Sequence, residues 1–145
     1  MKKSPLVRAA RPSDAGAVAE IAKRAGAARW SSGAYAAEAG RDDGVFLVAG
    51  GGAVRGYAVA RLFEDDARLL DFASAADGRG IGRALWAALA AQSRARGAAR
   101  LTLEVSSANE RALRFYRRAG ARVVGRRPKF YNDGSDAILM DFLLS

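Results

Sequence analysis

The feature that most restricts the fold is a glycine-rich turn between an apolar strand and the most regular helix of the chain. The turn consists of Gly78, Arg79, Gly80, Ile81 and Gly82. After it, apolar residues recur every four positions at Ile81, Leu85 and Leu89, which is typical of an amphipathic helix. Glycines allow close backbone approach, and the free N–H groups of a first helical turn favour phosphate. The pattern is consistent with a phosphate site or with a purely structural turn.

Two common phosphate motifs do not fit this turn. Its glycine spacing is not G-x-G-x-x-G, and the preceding strands indicate an antiparallel meander in place of a βαβ unit, so a dinucleotide-binding fold is excluded. No Gly-Lys-Ser/Thr closes the turn, which excludes a P-loop. If the turn binds phosphate, the ligand belongs to another class.

Apolar runs and turn residues predict seven strands and four helices. The predicted strands cover residues 6–10, 45–49, 54–63, 68–73, 101–105, 123–131 and 137–144. The predicted helices cover 13–28, with Ser13 or Asp14 as the cap, then 35–39, 80–96 and 109–118. This order predicts an α/β protein with a mixed α+β sheet, folded as one domain over residues 1–145.

Composition restricts the chemistry. The 145 residues include neither cysteine nor histidine, so disulfides and thiolate nucleophiles are excluded, and proton transfer is left to carboxylates, tyrosines, lysines or the backbone. Lys and Arg number 24 against 15 Asp and Glu, a formal charge of +9. Such a surface attracts polyanions, but a generally solvated basic surface explains the charge equally well.

The N-terminus and the hydropathy of the chain indicate where in the cell the protein is located. Pro5, Arg8 and Arg11 interrupt the apolar stretch that a signal peptide would need. No uncharged apolar run approaches the roughly 18 residues that cross a bilayer. We expect a cytoplasmic protein without a membrane segment.

A second group of polar residues lies near the strand at 101–105. Glu104 stands between Leu103 and Val105 and so faces the opposite side of that strand. Asn109 and Tyr116 are seven positions apart, about two helical turns, and share a helix face. A carboxylate at this place is either a salt-bridge partner or a base.

With these residues, the chain resembles the GNAT acetyltransferases, and within them the RimI-type ribosomal-protein alanine N-acetyltransferases. The resemblance spans nearly the whole chain. It is carried by Trp30-Ser31, Leu69 to Ala73, the glycine-rich turn, Leu103-Glu104-Val105, Asn109-x-x-Ala112-Leu113-x-x-Tyr116-x-x-x-Gly120, Arg126-Arg127, Tyr131, Asp136-Ala137 and Met140.

The resemblance implies the single-domain GNAT fold, with a splay between strands four and five in which the pantetheine arm of acetyl-CoA lies. It implies Glu104 as the base for the acceptor amine and Tyr116 as the acid for the departing thiolate. The implied cofactor residues are Phe72, Ala73, Ser74, Gly78, Arg79, Gly80, Ile81, Gly82, Arg83, Asn109 and Tyr116. The implied acceptor residues are Trp30, Tyr35, Glu104 and Tyr131. No metal is implied.

By the same resemblance, the acceptor is a primary amine, first of all the N-terminal amine of a ribosomal protein. A small-molecule amine, such as a polyamine or an antibiotic, and a non-catalytic acetyl-CoA-binding module are the alternatives. We expect a monomer or weak homodimer with no direct nucleic-acid role. The turn departs from the family at Asp77, where Arg or Gln is usual and where a carboxylate would repel a pyrophosphate.

Overall fold

The computed structural model describes residues 6–27, 30–75 and 80–144. They form seven strands and four α-helices, which confirms the predicted class and order of elements. The strands are β1 (Val7–Ala9), β2 (Gly44–Ala49), β3 (Gly56–Phe63), β4 (Asp66–Ser74), β5 (Arg100–Ser106), β6 (Arg122–Arg127) and β7 (Ala137–Leu143). The helices are α1 (Ala15–Ala25), α2 (Ser32–Glu38), α3 (Ile81–Ala95) and α4 (Glu110–Ala119). None of the described helices combines the length and apolar character that a membrane span requires.

The strands form one sheet in the order β1-β2-β3-β4-β5-β7-β6. Neighbouring strands are antiparallel except β4 and β5, which are parallel. Their register joins only residues 66–68 with 100–102, although β4 continues to Ser74 and β5 to Ser106. The two strands therefore separate over most of their length, which confirms the expected splay between strands four and five.

Each face of the sheet carries its own apolar core. Leu103 and Val105 of β5 pack with Leu89 of α3 in one core cluster, and Tyr116 of α4 belongs to the same cluster. Val18 of α1 belongs to a second cluster, which also contains residues of α2, β2 and β3. The α3–α4 face and the α1–α2 face are the two sides on which a site could form.

A β-bulge changes the face of β4 just before the splay. Val59 pairs with Asp71 and Ala60 pairs with Leu69, so Leu70 is an extra residue in β4. Leu69 packs in the core of the α3–α4 face, whereas Ala73 packs in the core of the α1–α2 face. Bulges re-aim the side chains that follow them, and this one turns Asp71 toward α1 and α2.

The first helix starts directly after Asp14, one of the two predicted cap residues, but it ends earlier than predicted. Residues Pro12–Asp14 form a 3-10 turn, and α1 begins only at Ala15. Asp14 occupies the N-cap position, but its carboxylate accepts hydrogen bonds from Arg8 and from the Arg11 N–H and does not cap α1. The helix ends at Ala25 because Gly26 adopts a left-handed conformation with φ of 65°.

Two further boundaries differ from the prediction by three residues or more. Helix α2 begins at Ser32, three residues early, because the Ser31 Oγ accepts a hydrogen bond of 3.1 Å from the Ala34 N–H and caps it. The sixth strand ends at Arg127, so Tyr131 lies in the loop before β7. An apolar and aromatic run extended the prediction into this loop.

Candidate active site

A cleft of about 420 Å³ occupies the gap between β4 and β5. Of the predicted site residues that the structure describes, seven line it, namely Phe72, Ala73, Ser74, Glu104, Asn109, Tyr116 and Tyr131. They come from both splayed strands, from α4 and from the loop before β7. The separation of the strands thus brings the predicted base, the predicted acid and the β4 segment into one cavity.

Glu104 lies at the accessible side of this cleft. Its side chain is 39% exposed, and its Oε1 lies 3.5 Å from the Arg127 Nη2. Burial raises the pKa of the nearby Tyr131, and the negative charge of Glu104 raises it further. Glu104 therefore makes the salt bridge that its position in the sequence allowed, and it remains open to water and to an entering amine.

Tyr116 lies deeper in the cleft and is only 8% exposed. Its ring centroid is 6.2 Å from that of Phe72 and 5.6 Å from that of Trp86, so aromatic packing fixes its direction. Burial raises the pKa of the Tyr116 phenol above its usual range, and the charge of Asp71 raises it further. The phenol is protonated at neutral pH and can donate a proton.

Asn109 holds the helix that carries Tyr116. It is the N-cap of α4, and its Oδ1 accepts a hydrogen bond of 3.1 Å from the Ala112 N–H. This cap satisfies one of the free donors of the first turn. The helix ends at Gly120, whose φ is 106°. Both ends of α4 follow the sequence prediction.

A second, larger groove of about 980 Å³ lies between the start of α3 and α4. Gly80, Ile81 and Gly82 of the predicted phosphate turn line it, and so does the predicted cofactor residue Arg83. Ser74 lines both the groove and the cleft, so the two cavities adjoin at the end of β4. Gly78, Arg79 and Asp77, which belong to the predicted turn and its approach, lie outside the described residues.

Steric constraints explain why glycine occupies positions 80 and 82 of the turn. Gly80 precedes α3 with φ of 73°, a conformation that favours glycine. A Cβ at Gly82 would lie 3.2 Å from the Phe115 Cε1, tighter than ordinary contact, so glycine lets the first turn of α3 approach α4. The first turn of α3 lines the groove, and the free N–H groups of a first helical turn favour anions.

Three arginines of this groove were not predicted from the sequence. Arg111, Arg114 and Arg118 of α4 line it together with Arg83. Their spacing of three and four residues, which places them on one helix face, was the available signal. Within the described part of the chain, none of the three forms a salt bridge. The groove is therefore a cationic surface whose charges are available to a ligand.

The groove also contains a buried donor that lacks an acceptor in the described residues. The Nε1 of Trp86 is inaccessible and makes no hydrogen bond there, although Trp86 lines the groove. A buried donor without an acceptor is costly. The arginines, not this buried donor, are the groups through which the groove fits an anionic ligand.

Trp30 and Tyr35, predicted to contact the acceptor, are not among the described residues that line the cleft. Their rings pack together with centroids 5.2 Å apart, and Tyr35 is fully buried. The Tyr35 hydroxyl donates to Asp71, which does line the cleft. Tyr35 thus lies behind the wall of the cleft. Asp71 belongs to that wall and was not predicted as a site residue from the sequence.

The splayed parallel pair, the turn before α3 and the cleft define a class of protein. Residues 16–121 match the model of the acetyltransferase (GNAT) family, and the chain belongs to that family. Members of the family use acetyl-CoA, and this chain is accordingly an acetyl-CoA-dependent N-acetyltransferase.

Known proteins are similar to this chain in sequence and in structure. The chain is 32% identical over 137 residues to the ribosomal protein bS18 alanine N-acetyltransferase of Escherichia coli K12, a match covering 91% of this chain and 93% of that protein. The crystal structure of the ribosomal-protein-S18-alanine N-acetyltransferase from Escherichia coli superposes with a TM-score of 0.86 at 28% identity, covering 97% of this chain and 94% of that one. The structure of Ard1 from Thermoplasma volcanium also gives 0.86, at 26% identity and 99% coverage of each chain.

Proposed function

We propose that this protein acetylates the N-terminal amine of a protein, with a ribosomal protein as the acceptor. The observation that carries the proposal is that Glu104 and Tyr116 line one cleft, the first accessible and charged, the second buried and protonated. The acceptor class is supported by the Escherichia coli relative, which is named for alanine N-acetylation of ribosomal protein bS18.

The two adjoining cavities fit the two parts of acetyl-CoA. We place its phosphates in the groove at the start of α3, where backbone N–H groups and the four arginines of the described lining are available. Its pantetheine arm then enters the cleft past Ser74 and follows Phe72 and Ala73 of β4. Acetyl-CoA supplies an activated thioester, and the protein supplies position and proton transfer.

Glu104 and Tyr116 act on the two protons of the reaction. An ammonium group is not a nucleophile until a base removes a proton, and the accessible Glu104 takes that proton directly or through water. Tyr116 gives a proton to the departing sulfur, since its phenol is protonated and faces the cleft. The chain has no cysteine or histidine, which favours direct transfer to the amine over a covalent acyl-enzyme intermediate.

Asn109 supports this site through α4, and Tyr131 borders its acceptor side. Trp30 and Tyr35 contribute from behind the cleft wall. We further propose that the enzyme is cytoplasmic. We also propose that it works as a monomer or weak homodimer, because one chain contributes both Glu104 and Tyr116 to the same cleft.

The acceptor is tested by incubating the protein and acetyl-CoA with three acceptors and locating the acetyl group by fragmentation mass spectrometry. The acceptors are a peptide with a free N-terminal alanine, the same peptide with a blocked N-terminus and one internal lysine, and a polyamine. We expect acetylation of the free N-terminus and little of the other two. Preferential acetylation of the polyamine would contradict the proposal.

A further inference from the structure

A buried carboxylate lies in the wall of the acceptor cleft. Asp71 is 6% exposed, and its Oδ2 accepts hydrogen bonds from the Tyr35 hydroxyl at 2.5 Å and from the Tyr57 hydroxyl at 2.8 Å. Both tyrosines are fully buried. Hydrogen bonds donated to a carboxylate favour its charged form and fix its direction. Asp71 is thus a rigidly held acidic group.

The fold places Asp71 on the same side of the splay as Glu104. The bulge at Leu70 turns Asp71 toward α1 and α2, and strand alternation turns Glu104 the same way, opposite to Leu103 and Val105. The parallel register of residues 66–68 with 100–102, continued along the strands, brings Leu70 level with Glu104. Both carboxylates line the cleft, one from each splayed strand.

We propose that Asp71 is a second acidic residue of the acceptor site, which binds the protonated amine before Glu104 removes its proton. This inference rests on the proposed function, because it assumes that the cleft receives an amine. A carboxylate in a partly desolvated cleft attracts an ammonium group more strongly than one in bulk water. Two carboxylates on opposite strands would hold the amine between them, across the line that separates β4 from β5.

Other groups around the cleft define the electrostatic setting. Arg127 pairs with Glu104 on β5, and Asp71 lines the cleft from β4. The charge of Asp71 extends across the gap, since it raises the pKa of Tyr116 on α4. Among the described residues, the titratable and charged side chains that line the cleft are Asp71, Glu104, Arg111, Tyr116 and Tyr131. Tyr35 and Tyr57 contact Asp71 from behind the wall, and Arg127 contacts Glu104.

The proposal predicts linked changes in affinity and pH dependence. A carboxylate that binds the ammonium form raises the pKa of the bound amine. Removing the charge weakens binding of the protonated acceptor and lowers the pKa of the bound amine by a corresponding amount. A tenfold weaker affinity corresponds to about one pH unit. A purely structural role would not move the pH profile in this way.

The test is Asp71→Asn, with steady-state kinetics of peptide acetylation measured from about pH 6 to 9. We expect the KM for the peptide to rise roughly tenfold and the acid limb of the kcat profile to move about one unit lower, with the KM for acetyl-CoA unchanged. Asp71→Ser is the second variant, in case an amide facing two hydroxyls prevents folding. The matched control is Asp66→Asn, at the closed end of β4 and outside the cleft, for which we expect wild-type kinetics.

Failure of this proposal differs from failure of the proposed function. If the wild-type protein acetylates the peptide and a folded Asp71 variant keeps both its peptide KM and its acid limb, Asp71 does not bind the amine. If the wild-type protein acetylates no N-terminal amine, the proposed function is wrong and this inference is wrong with it.

Discussion

The Nη2 of Arg127 lies 3.5 Å from the Oε1 of Glu104, although β7 separates the strands on which the two residues lie. Glu104 pairs across β5 and β7 with Leu139, and Arg127 pairs across β6 and β7 with Ala137. The arginine side chain therefore crosses over β7 to reach the carboxylate. Strand β6, which leads into the Tyr131 loop, thus places a positive charge beside the proposed base.

Glu104→Gln tests the proposed base. We expect a loss of kcat near neutral pH on the order of 10²-fold, partly recovered as the pH rises and free amine becomes available. Rates over a range of pH check this. Glu110→Gln, an exposed change in the first turn of α4 outside the cleft, is the control. Unchanged neutral-pH activity in Glu104→Gln would remove Glu104 from the base role.

Tyr116→Phe tests the proposed acid. The substitution keeps the aromatic packing and removes the hydroxyl, so we expect kcat to fall on the order of 10²-fold while acetyl-CoA still binds. Turnover and calorimetric titration of acetyl-CoA measure the two effects separately. Loss of binding together with turnover would show that the hydroxyl serves structure or cofactor binding.

Arg114→Ala tests the phosphate groove. Removing one charged donor should weaken acetyl-CoA binding by roughly tenfold at low salt and reduce the salt dependence of the dissociation constant, with kcat at saturation little changed. Arg94→Ala, an exposed arginine in the last turn of α3 away from the groove, is the matched control. Equal affinities of the two variants would place the phosphates elsewhere.

The Arg8–Asp14 pair makes a pH-dependent contribution to stability. Two hydrogen bonds from Arg8 at 2.7 and 2.8 Å, helped by the Arg11 N–H, lower the pKa of Asp14 to about 2 from 3.8. Because the folded-state pKa is depressed, the stabilisation is present above pH 3.8 and is lost as the pH falls toward 2.

Asp14→Asn should therefore lower the free energy of unfolding by roughly 1–2 kcal/mol at neutral pH. The difference from wild type should shrink between about pH 4 and 2, as urea unfolding at several pH values would show. Asp43→Asn, which breaks an exposed pair with Arg41, should change stability little. A difference for Asp14→Asn that stays constant down to pH 2 would contradict this account.

Periodicity and turn residues were sufficient for the order of elements, because each strand and helix carries its own apolar pattern. They also located Glu104, Asn109 and Tyr116 in one place, since the short loop from β5 to α4 keeps these residues close. The order of elements and the proximity of these residues depend on signals within short stretches of sequence. The helix cap at Asn109 and the stop at Gly120 are of the same kind.

Features that depend on pairing between elements were not predictable. The direction of Asp71 depends on a bulge, which appears only once β3 and β4 are in register. The arginine groove requires the relative position of α3 and α4, although the spacing of Arg111, Arg114 and Arg118 was visible. The end of β6 was misplaced because exposed aromatic residues of the following loop resemble a strand.

A crystal structure of the protein with acetyl-CoA tests the central claim most directly, namely that the splay between β4 and β5 is the acetyl-transfer site. The account predicts the pantetheine arm along Phe72 to Ser74, the phosphates at the start of α3, and the thioester sulfur within about 3.5 Å of the Tyr116 hydroxyl. Acetyl-CoA bound outside the splay, or with its sulfur far from Tyr116 and Glu104, would contradict it.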